Sequence, residues 1–334
     1  MPQIISNILI GDYAFDYVHK GSIKSDWRTM TNTAKLEYPR ALKTRDNLQI
    51  DQALKIGDAV SISIGYDNNP VQRFTGYVSQ IGAATAICEI TCEDEMWKLK
   101  QTSLTKSWPN TTVDEIIGYI KQKTNATWNY EILGDSIAVD GFKTNKLGAA
   151  KVEKLSAAKM LLKLKDDFGI YSFFRNGKLI VGKPYEPDSS KWNRVALAYG
   201  QNVVSWKDLT YKRASEVSLK VTCVNHLSTG KKKEIIVGDD TGESRTLDFY
   251  NLSDATLKTI ANEMLAKLKY DGYRGKIHLL GEPYITDGDV ADVTSWLYPE
   301  RDGSFFVDAV ETEFTHKTIK QAVTLGPLAT IANT

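Results

Sequence analysis

A run of alternating residues near the start of this chain has a loose counterpart near its end, and that pairing constrains the fold more than any other feature. The first run opens Gly57-Asp58-Ala59-Val60-Ser61-Ile62-Ser63-Ile64 and passes a polar turn at Asp67-Asn68-Asn69-Pro70. It continues through Phe74-Thr75-Gly76-Tyr77-Val78 to Ile87-Cys88-Glu89-Ile90-Thr91-Cys92. The second opens Gly288-Asp289-Val290-Ala291-Asp292-Val293 and turns around Arg301-Asp302-Gly303. It continues through Phe306-Val307-Asp308-Ala309-Val310 to Gln321-Ala322-Val323-Thr324-Leu325. Gly57 to Phe74 spans 17 positions and Gly288 to Phe306 spans 18. Alternation bounded by Gly, Asp and Pro marks half-buried strands. Two such modules about 230 residues apart predict a subunit that presents one barrel-like unit twice, a habit of assemblies more than of active sites. Any two three-strand meanders share turns of this kind, so the pattern alone leaves open whether the modules have one geometry.

A chain of 334 residues exceeds one comfortable hydrophobic core, so two or three domains are expected. Its net charge of +1, from 42 basic and 41 acidic residues, supplies no bulk attraction toward nucleic acid. No apolar run approaches the roughly 18 residues of a membrane span. The opening Met1-Pro2-Gln3-Ile4-Ile5-Ser6 has no basic region followed by a long apolar segment, so folding in the cytosol of the producing cell is expected. The 3 cysteines form no CxxC pair. Cys88 and Cys92 share one face of a predicted strand roughly 13 Å apart, beyond disulfide reach. Cys223 lies in the alternating run Val217, Leu219, Val221, and all three thiols read as small buried hydrophobes.

Three segments follow. Residues 1–107 are predicted all-β, with one strand ending at Leu36-Glu37-Tyr38-Pro39 and a short helix in Glu93-Asp94-Glu95-Met96-Trp97-Lys98-Leu99. Residues 108–190 are predicted as a small α+β domain. Thr112-Val113-Asp114-Glu115 is a capping box that opens a helix, and Ser156 caps a second one that Gly169 terminates. Arg175-Asn176-Gly177-Lys178 between Tyr171-Ser172-Phe173-Phe174 and Leu179-Ile180-Val181 is a hairpin signal. Residues 191–334 are β-rich again, with an inserted helix over 253–271 whose apolar positions run Leu257, Ile260, Ala261, Met264, Leu265 and Leu268. A strand around Val217 to Val221 is expected to return at Glu234 to Val237, and 225–250 reads as an elaborated polar loop carrying Lys231-Lys232-Lys233.

A search for chemistry assigns no catalytic, cofactor-binding or metal-binding residue. His19, His226, His278 and His316 are scattered, without HExxH spacing. No GxGxxG, GxxxxGK[ST] or GxSxG occurs. Asp287-Gly288-Asp289-Val290-Ala291-Asp292 breaks the register of a calcium loop at Ala291 and fits a tight turn before a strand. The pairs Asp166-Asp167 and Asp239-Asp240 could serve a glycosidase, but helix-end and turn solvation explains them. Trp27, Trp97, Trp108, Trp192, Trp206 and Trp296 are too dispersed for a stacking platform and suit core or interface anchoring.

In order along the chain, several short motifs resemble phage tail hub proteins of the Mu-like and late-control-type baseplate family. Lys55-Ile56-Gly57-Asp58-Ala59-Val60, Phe74-Thr75-Gly76-Tyr77-Val78 and Cys92-Glu93-Asp94-Glu95-Met96-Trp97-Lys98-Leu99 resemble its first domain, and Phe173-Phe174-Arg175-Asn176-Gly177-Lys178-Leu179 with Val181-Gly182 its middle domain. Tyr273-Arg274-Gly275-Lys276-Ile277, Gly281-Glu282-Pro283, Gly288-Asp289-Val290, Phe306-Val307-Asp308-Ala309-Val310 and Gln321-Ala322-Val323-Thr324-Leu325-Gly326 resemble its closing domain. The resemblance implies an α+β, mainly β chain in which two tail-tube-like β-barrel domains flank the small α+β domain. It also implies a non-enzymatic homotrimer, without cofactor, that joins a sixfold tail tube to a threefold spike. The expected partners are the tube protein, the spike or needle protein and other baseplate proteins, within the virion tail of a phage or prophage assembled in the host cytoplasm. Specific nucleic-acid binding is not expected. Competing readings are a tail-associated peptidoglycan hydrolase and a β-rich carbohydrate-binding adhesin. The tips Tyr66 to Arg73 and Asn225 to Glu243 are the candidate partner surfaces.

Overall fold

A computed structural model describes residues 3–67, 69–82, 85–133, 147–182, 184–186, 188–227, 229–250 and 252–329. The protein is mainly β with a minority of helix, as expected. Alternation sets the faces of the first module: Val60, Ile62 and Ile64 of Ala59–Tyr66 point inward, as do Ala34, Leu36 and Tyr38 of Thr33–Pro39. Cys88, Ile90 and Cys92 of Ile87–Glu93 join them, all three fully buried. One face of each strand thus meets the core and the other meets water.

The two modules are built alike. In the first, the hydrogen-bonded order is Lys20–Asp26, Thr33–Pro39, Ile87–Glu93, Asn69–Gly82, Ala59–Tyr66. In the second it is Leu209–Lys212, Gly272–Leu280, Ile319–Leu328, Gly303–Phe314, Val290–Thr294. Every one of these pairs is antiparallel. The copies differ at their far side, where Ile4–Ile10 runs antiparallel to Ala59–Tyr66 but Arg194–Ala198 runs parallel to Val290–Thr294.

The modules are not separately closed barrels among the described residues. Gly303–Phe314 outruns its partner Val290–Thr294, and its back half pairs with Lys20–Asp26 of the first module, from Ala309↔Asp26 to Phe314↔Gly21. One 14-stranded sheet therefore runs through both copies. Phe305, Val307 and Val310 pack in the second core, while Phe314 and Ile319 belong to the first.

The segment 103–182 has its own core. Its helix Val113–Lys123 opens on the capping box of Thr112 and Glu115, and Ala157–Phe168 runs from the Ser156 cap to Gly169 at φ +66°. Their apolar faces meet Met96 and Leu99 of the first module's terminal helix Met96–Gln101. Asn176 and Gly177 both have positive φ in the turn of the hairpin Tyr171–Arg175 and Lys178–Gly182, as a two-residue type I′ turn requires. The expected boundary between 1–107 and 108–190 falls inside a strand, Ser103–Thr111, paired with Gly148–Ser156.

The expected loop at 225–250 is mostly sheet. Leu219–His226 pairs antiparallel with Lys232–Gly238 and parallel with Glu243–Tyr250. The helix Asp254–Leu268 covers one face, around a core of Val221, Cys223, Phe249, Leu257, Ile260 and Ala261. This α/β unit enters the second module between its first two strands, where the first module has only the short link 27–32.

Candidate functional site

The two Gly-Asp turns are the same device. Gly57 has φ +95° and Gly288 has φ +83°, a region glycine enters without steric cost. Gly57 N–H donates to Val78 C=O at 2.8 Å and Val78 N–H donates to Asp58 C=O at 2.9 Å. Gly288 N–H donates to Val307 C=O at 2.8 Å and Val307 N–H donates to Asp289 C=O at 2.9 Å. Each aspartate accepts through Oδ2 from the backbone N–H three residues earlier, Lys55 at 2.8 Å and Thr286 at 2.8 Å. Beyond each valine the long strand bulges by one residue, at Ser79 and at Asp308, before pairing resumes as Gln80↔Thr91 and Ala309↔Thr324. These bonds correct the spacing alignment given above: Tyr77, not Phe74, is the counterpart of Phe306. The strands enter their turns at different lengths, so Tyr77 stands 20 positions after Gly57 while Phe306 stands 18 after Gly288.

Where the copies meet, charged groups are buried. Asp287 is nearly inaccessible, receives Ser25 Oγ–H, and faces Arg175 Nη2 at 3.2 Å. Arg175 also donates to Pro184 C=O at 3.0 Å. Arg73 donates to Gly281 C=O at 2.6 Å and to Gln321 Oε1 at 3.2 Å, and lies over the Tyr284 ring at 4.8 Å. Gln321 Nε2 in turn donates to Leu280 C=O at 2.9 Å and Pro283 C=O at 2.8 Å. A second knot surrounds Asp308, which accepts from Trp27 Nε1 at 3.2 Å and from the Tyr185 hydroxyl, with Arg28 at 3.7 Å. Three parts of the chain are thereby tied together: the first module, the second module and the hairpin-bearing middle segment.

Burial shapes the charges. Desolvation pushes the Asp94 carboxyl up to about 7, against the opposing pull of backbone N–H groups from Asn32 and Met96. Asp289 is raised to about 6 for the same reason. Burial beside Asp308 lifts the Tyr185 hydroxyl well above its usual range. These are the marks of a joint in which polar groups satisfy one another, since a buried charge persists only when paired or neutralised.

The two candidate partner tips are exposed over much of their length and anchored at their ends. Tyr66 and Asn69 close a hairpin, and Arg73 is drawn into the joint. Asn225 and His226 are buried: Asn225 brackets Leu252 through both amide atoms, at 2.7 and 3.1 Å, and His226 meets Asp248 at 2.7 Å. Of the lysine triplet, Lys232 reaches Asp166 C=O at 3.1 Å and Lys233 pairs with Asp254 at 2.9 Å. His278 meets Asp208 at 2.6 Å. Asp239 is held by Lys269 at 3.0 Å, and the Asp166–Asp167 pair ends a helix. Among the described residues no three His, Cys, Asp or Glu side chains cluster with metal-binding geometry. No helix among them is long and apolar enough to cross a membrane. What sequence reasoning missed is the joint itself, because Arg73, Arg175, Asp287 and Gln321 lie in separate local motifs, none of which points to the others, and they meet only in space.

No family model matches the sequence, and no curated protein matches it. Solved structures do match, over nearly the whole chain. The 43 kDa tail protein of prophage MuSo2 from Shewanella oneidensis aligns with TM-score 0.61 at 15% identity, over 97% of this chain and 98% of its own. A tail protein from Neisseria meningitidis aligns with TM-score 0.62 at 14% identity, over 97% of each chain. An Escherichia coli component of the type VI secretion system, described as structurally similar to bacteriophage T4 tail proteins gp27 and gp5, aligns with TM-score 0.60 at 9% identity. The alignment with that component covers 97% of this chain and 77% of its own. The chain has the fold of these tail proteins.

Proposed function

We propose that this chain is a structural hub of a phage or prophage tail baseplate, or of a related contractile injection machine. Three chains present six sheet modules to a sixfold tail tube, and their other face holds a threefold spike. The observation that carries this reading is the internal duplication: one chain holds two modules with the same strand order, the same bulge and the same Gly-Asp hydrogen bonds, fused in one sheet. A trimer of single modules could not offer six equivalent positions, and closed rings need matched symmetry at their contacts. The full-length likeness in fold to prophage tail proteins supports the same reading. Its place is then the virion tail, assembled in the bacterial cytoplasm, with the tube, spike and other baseplate proteins as partners and no catalytic role.

Sedimentation of the concentrated full chain tests it. A species of three chain masses is expected, and a stable dimer overturns the proposal. Clearing of a peptidoglycan suspension that is lost on substituting a single carboxylate would instead favour the hydrolase reading.

A further inference from the structure

One charge in the joint has no counterpart. Arg73 is largely buried, and that burial works against its cation. A guanidinium keeps its proton regardless. Its hydrogen bonds go to neutral oxygens, Gly281 C=O and Gln321 Oε1, and no carboxylate among the described residues pairs with it. Glu282 acts on it from beyond ion-pair reach and lies exposed. The Arg73 Nε–H is enclosed and meets no acceptor among the described residues. A buried charge in this state is costly unless something of opposite sign joins it.

Arg73 lines a cavity of about 240 Å³ where the two modules and the middle hairpin meet, and Arg175 lines it too. Each cation lies over an aromatic ring, Tyr284 at 4.8 Å and Phe173 at 4.9 Å, so the N–H groups leave by the edges. Arg175 uses Nη2 for Pro184 C=O and Asp287, while its Nε and Nη1 make no hydrogen bond among the described residues. The carboxylates in the wall are already engaged. Asp287 faces Arg175, and Glu95 accepts from the Tyr77 hydroxyl at 2.8 Å with Lys98 at 3.8 Å. Asp94 takes the N–H groups of Asn32 and Met96, and burial pushes it up to about 7, so it carries little charge on the acid side of neutrality. One positive charge is left over.

The mouth of the cavity is polar, with Gln72, Thr75, Asn176 and Gly177 exposed. Its volume far exceeds the roughly 10–15 Å³ that one water needs and falls short of the roughly 300 Å³ at which pockets for larger ligands begin. Water could fill such a space but could not neutralise it. We propose that the cavity binds a small oxyanion, a phosphate or a carboxylate, between the free N–H edges of Arg73 and Arg175. Arginine edges match oxygens that accept in pairs. The bound anion ties Asn69–Gly82 of the first module to the hairpin over 171–182 and clamps the joint. The site stands whether or not the chain is a hub.

Hydrogen exchange of the full chain tests it, just below neutral pH, in sodium phosphate and separately in sodium succinate, each against sodium chloride at equal ionic strength. Peptides covering 69–82 and 171–182 should slow about tenfold at roughly ten times the dissociation constant of the anion. The effect should saturate, and peptides of the remote strand 232–238 should not change. A response to one of the two salts names the oxyanion. Arg73→Gln keeps an amide N–H for the Gly281 carbonyl and removes the charge, so the response should vanish. Thr75→Glu alters an exposed mouth residue, leaves the arginines' present bonds intact and supplies a tethered carboxylate. It should slow the same peptides with no anion added and abolish the response to free anion, which decides the matter even if Arg73→Gln fails to fold. Absence of any slowing in the parent overturns the site. So does slowing spread evenly over all peptides, the mark of salts excluded from the surface, or an equal response in Arg73→Gln or Thr75→Glu.

Discussion

Phe314 sits on a strand of the second module with its ring in the core of the first, and its removal should therefore weaken a part of the chain that begins about 290 residues earlier. Its partner in register is Gly21, and a Cβ added there would stand 2.2 Å from the ring Cζ. Phe314→Ala empties a fully packed site, which costs about 3–5 kcal/mol. Gly21→Ala pushes a methyl into that ring and costs about 1–3 kcal/mol as overpacking. In the Phe314→Ala background the same methyl enters vacated space, and its cost should fall to near zero. The two changes are thus coupled by about 1–3 kcal/mol, within the range for residues in contact. Hydrogen exchange followed by mass spectrometry reads this locally, without treating the chain as two-state. Peptides covering 20–26, 33–39 and 309–314 should exchange about two to three and a half orders of magnitude faster in Phe314→Ala, at tenfold per 1.4 kcal/mol. Losses that simply add in the double variant, or protection in 33–39 that stays unchanged, would refute the claim that the crossing strand holds the first core.

Two further outcomes follow from the joint. The folded-state Asp94 carboxyl, raised to about 7 by burial, favours its proton more than the unfolded carboxyl does near 3.8; its contribution is complete below about pH 4 and is lost as pH rises toward 7. Asp94→Asn should flatten that part of the stability profile, measured by urea midpoints across pH 4 to 8; a profile with unchanged slope contradicts it. Arg175→Ala leaves Asp287, only 2% exposed at its side chain, without its cation, and removal of one partner from a buried pair costs about 3–5 kcal/mol. Limited proteolysis should then cut near the 171–182 hairpin earlier than in the parent, and equal resistance would count against the joint.

Local signals were legible in the sequence because they are enforced locally. The Thr112–Glu115 capping box, the Ser156 cap with its Gly169 terminator, and the Asn176-Gly177 turn each satisfy backbone groups within a few residues, and each stands as expected. The helix expected over 253–271 spans Asp254–Leu268. The return strand expected at Glu234 to Val237 stands as Lys232–Gly238, whereas Glu243–Tyr250 was hidden because its opening Glu-Ser-Arg-Thr reads as part of a polar loop. The repeat was visible, yet its alignment was not, since the strands that follow the two glycines, Ala59–Tyr66 and Val290–Thr294, differ in length and no residue marks the difference. The polar joint had no signal at all: Ser25 and Asp287 are 262 positions apart, and nothing in either neighbourhood names the other.

The α/β unit between the first two strands of the second module makes the copies unequal in one respect, since its counterpart in the first is the short link 27–32. In any ring of these chains it falls on every second module. A ring of three chains would then present six similar modules while its periphery alternated, bare and built-up, like a gear with every other tooth raised. In such a ring a threefold partner would need no special surface on the sheet to find its setting.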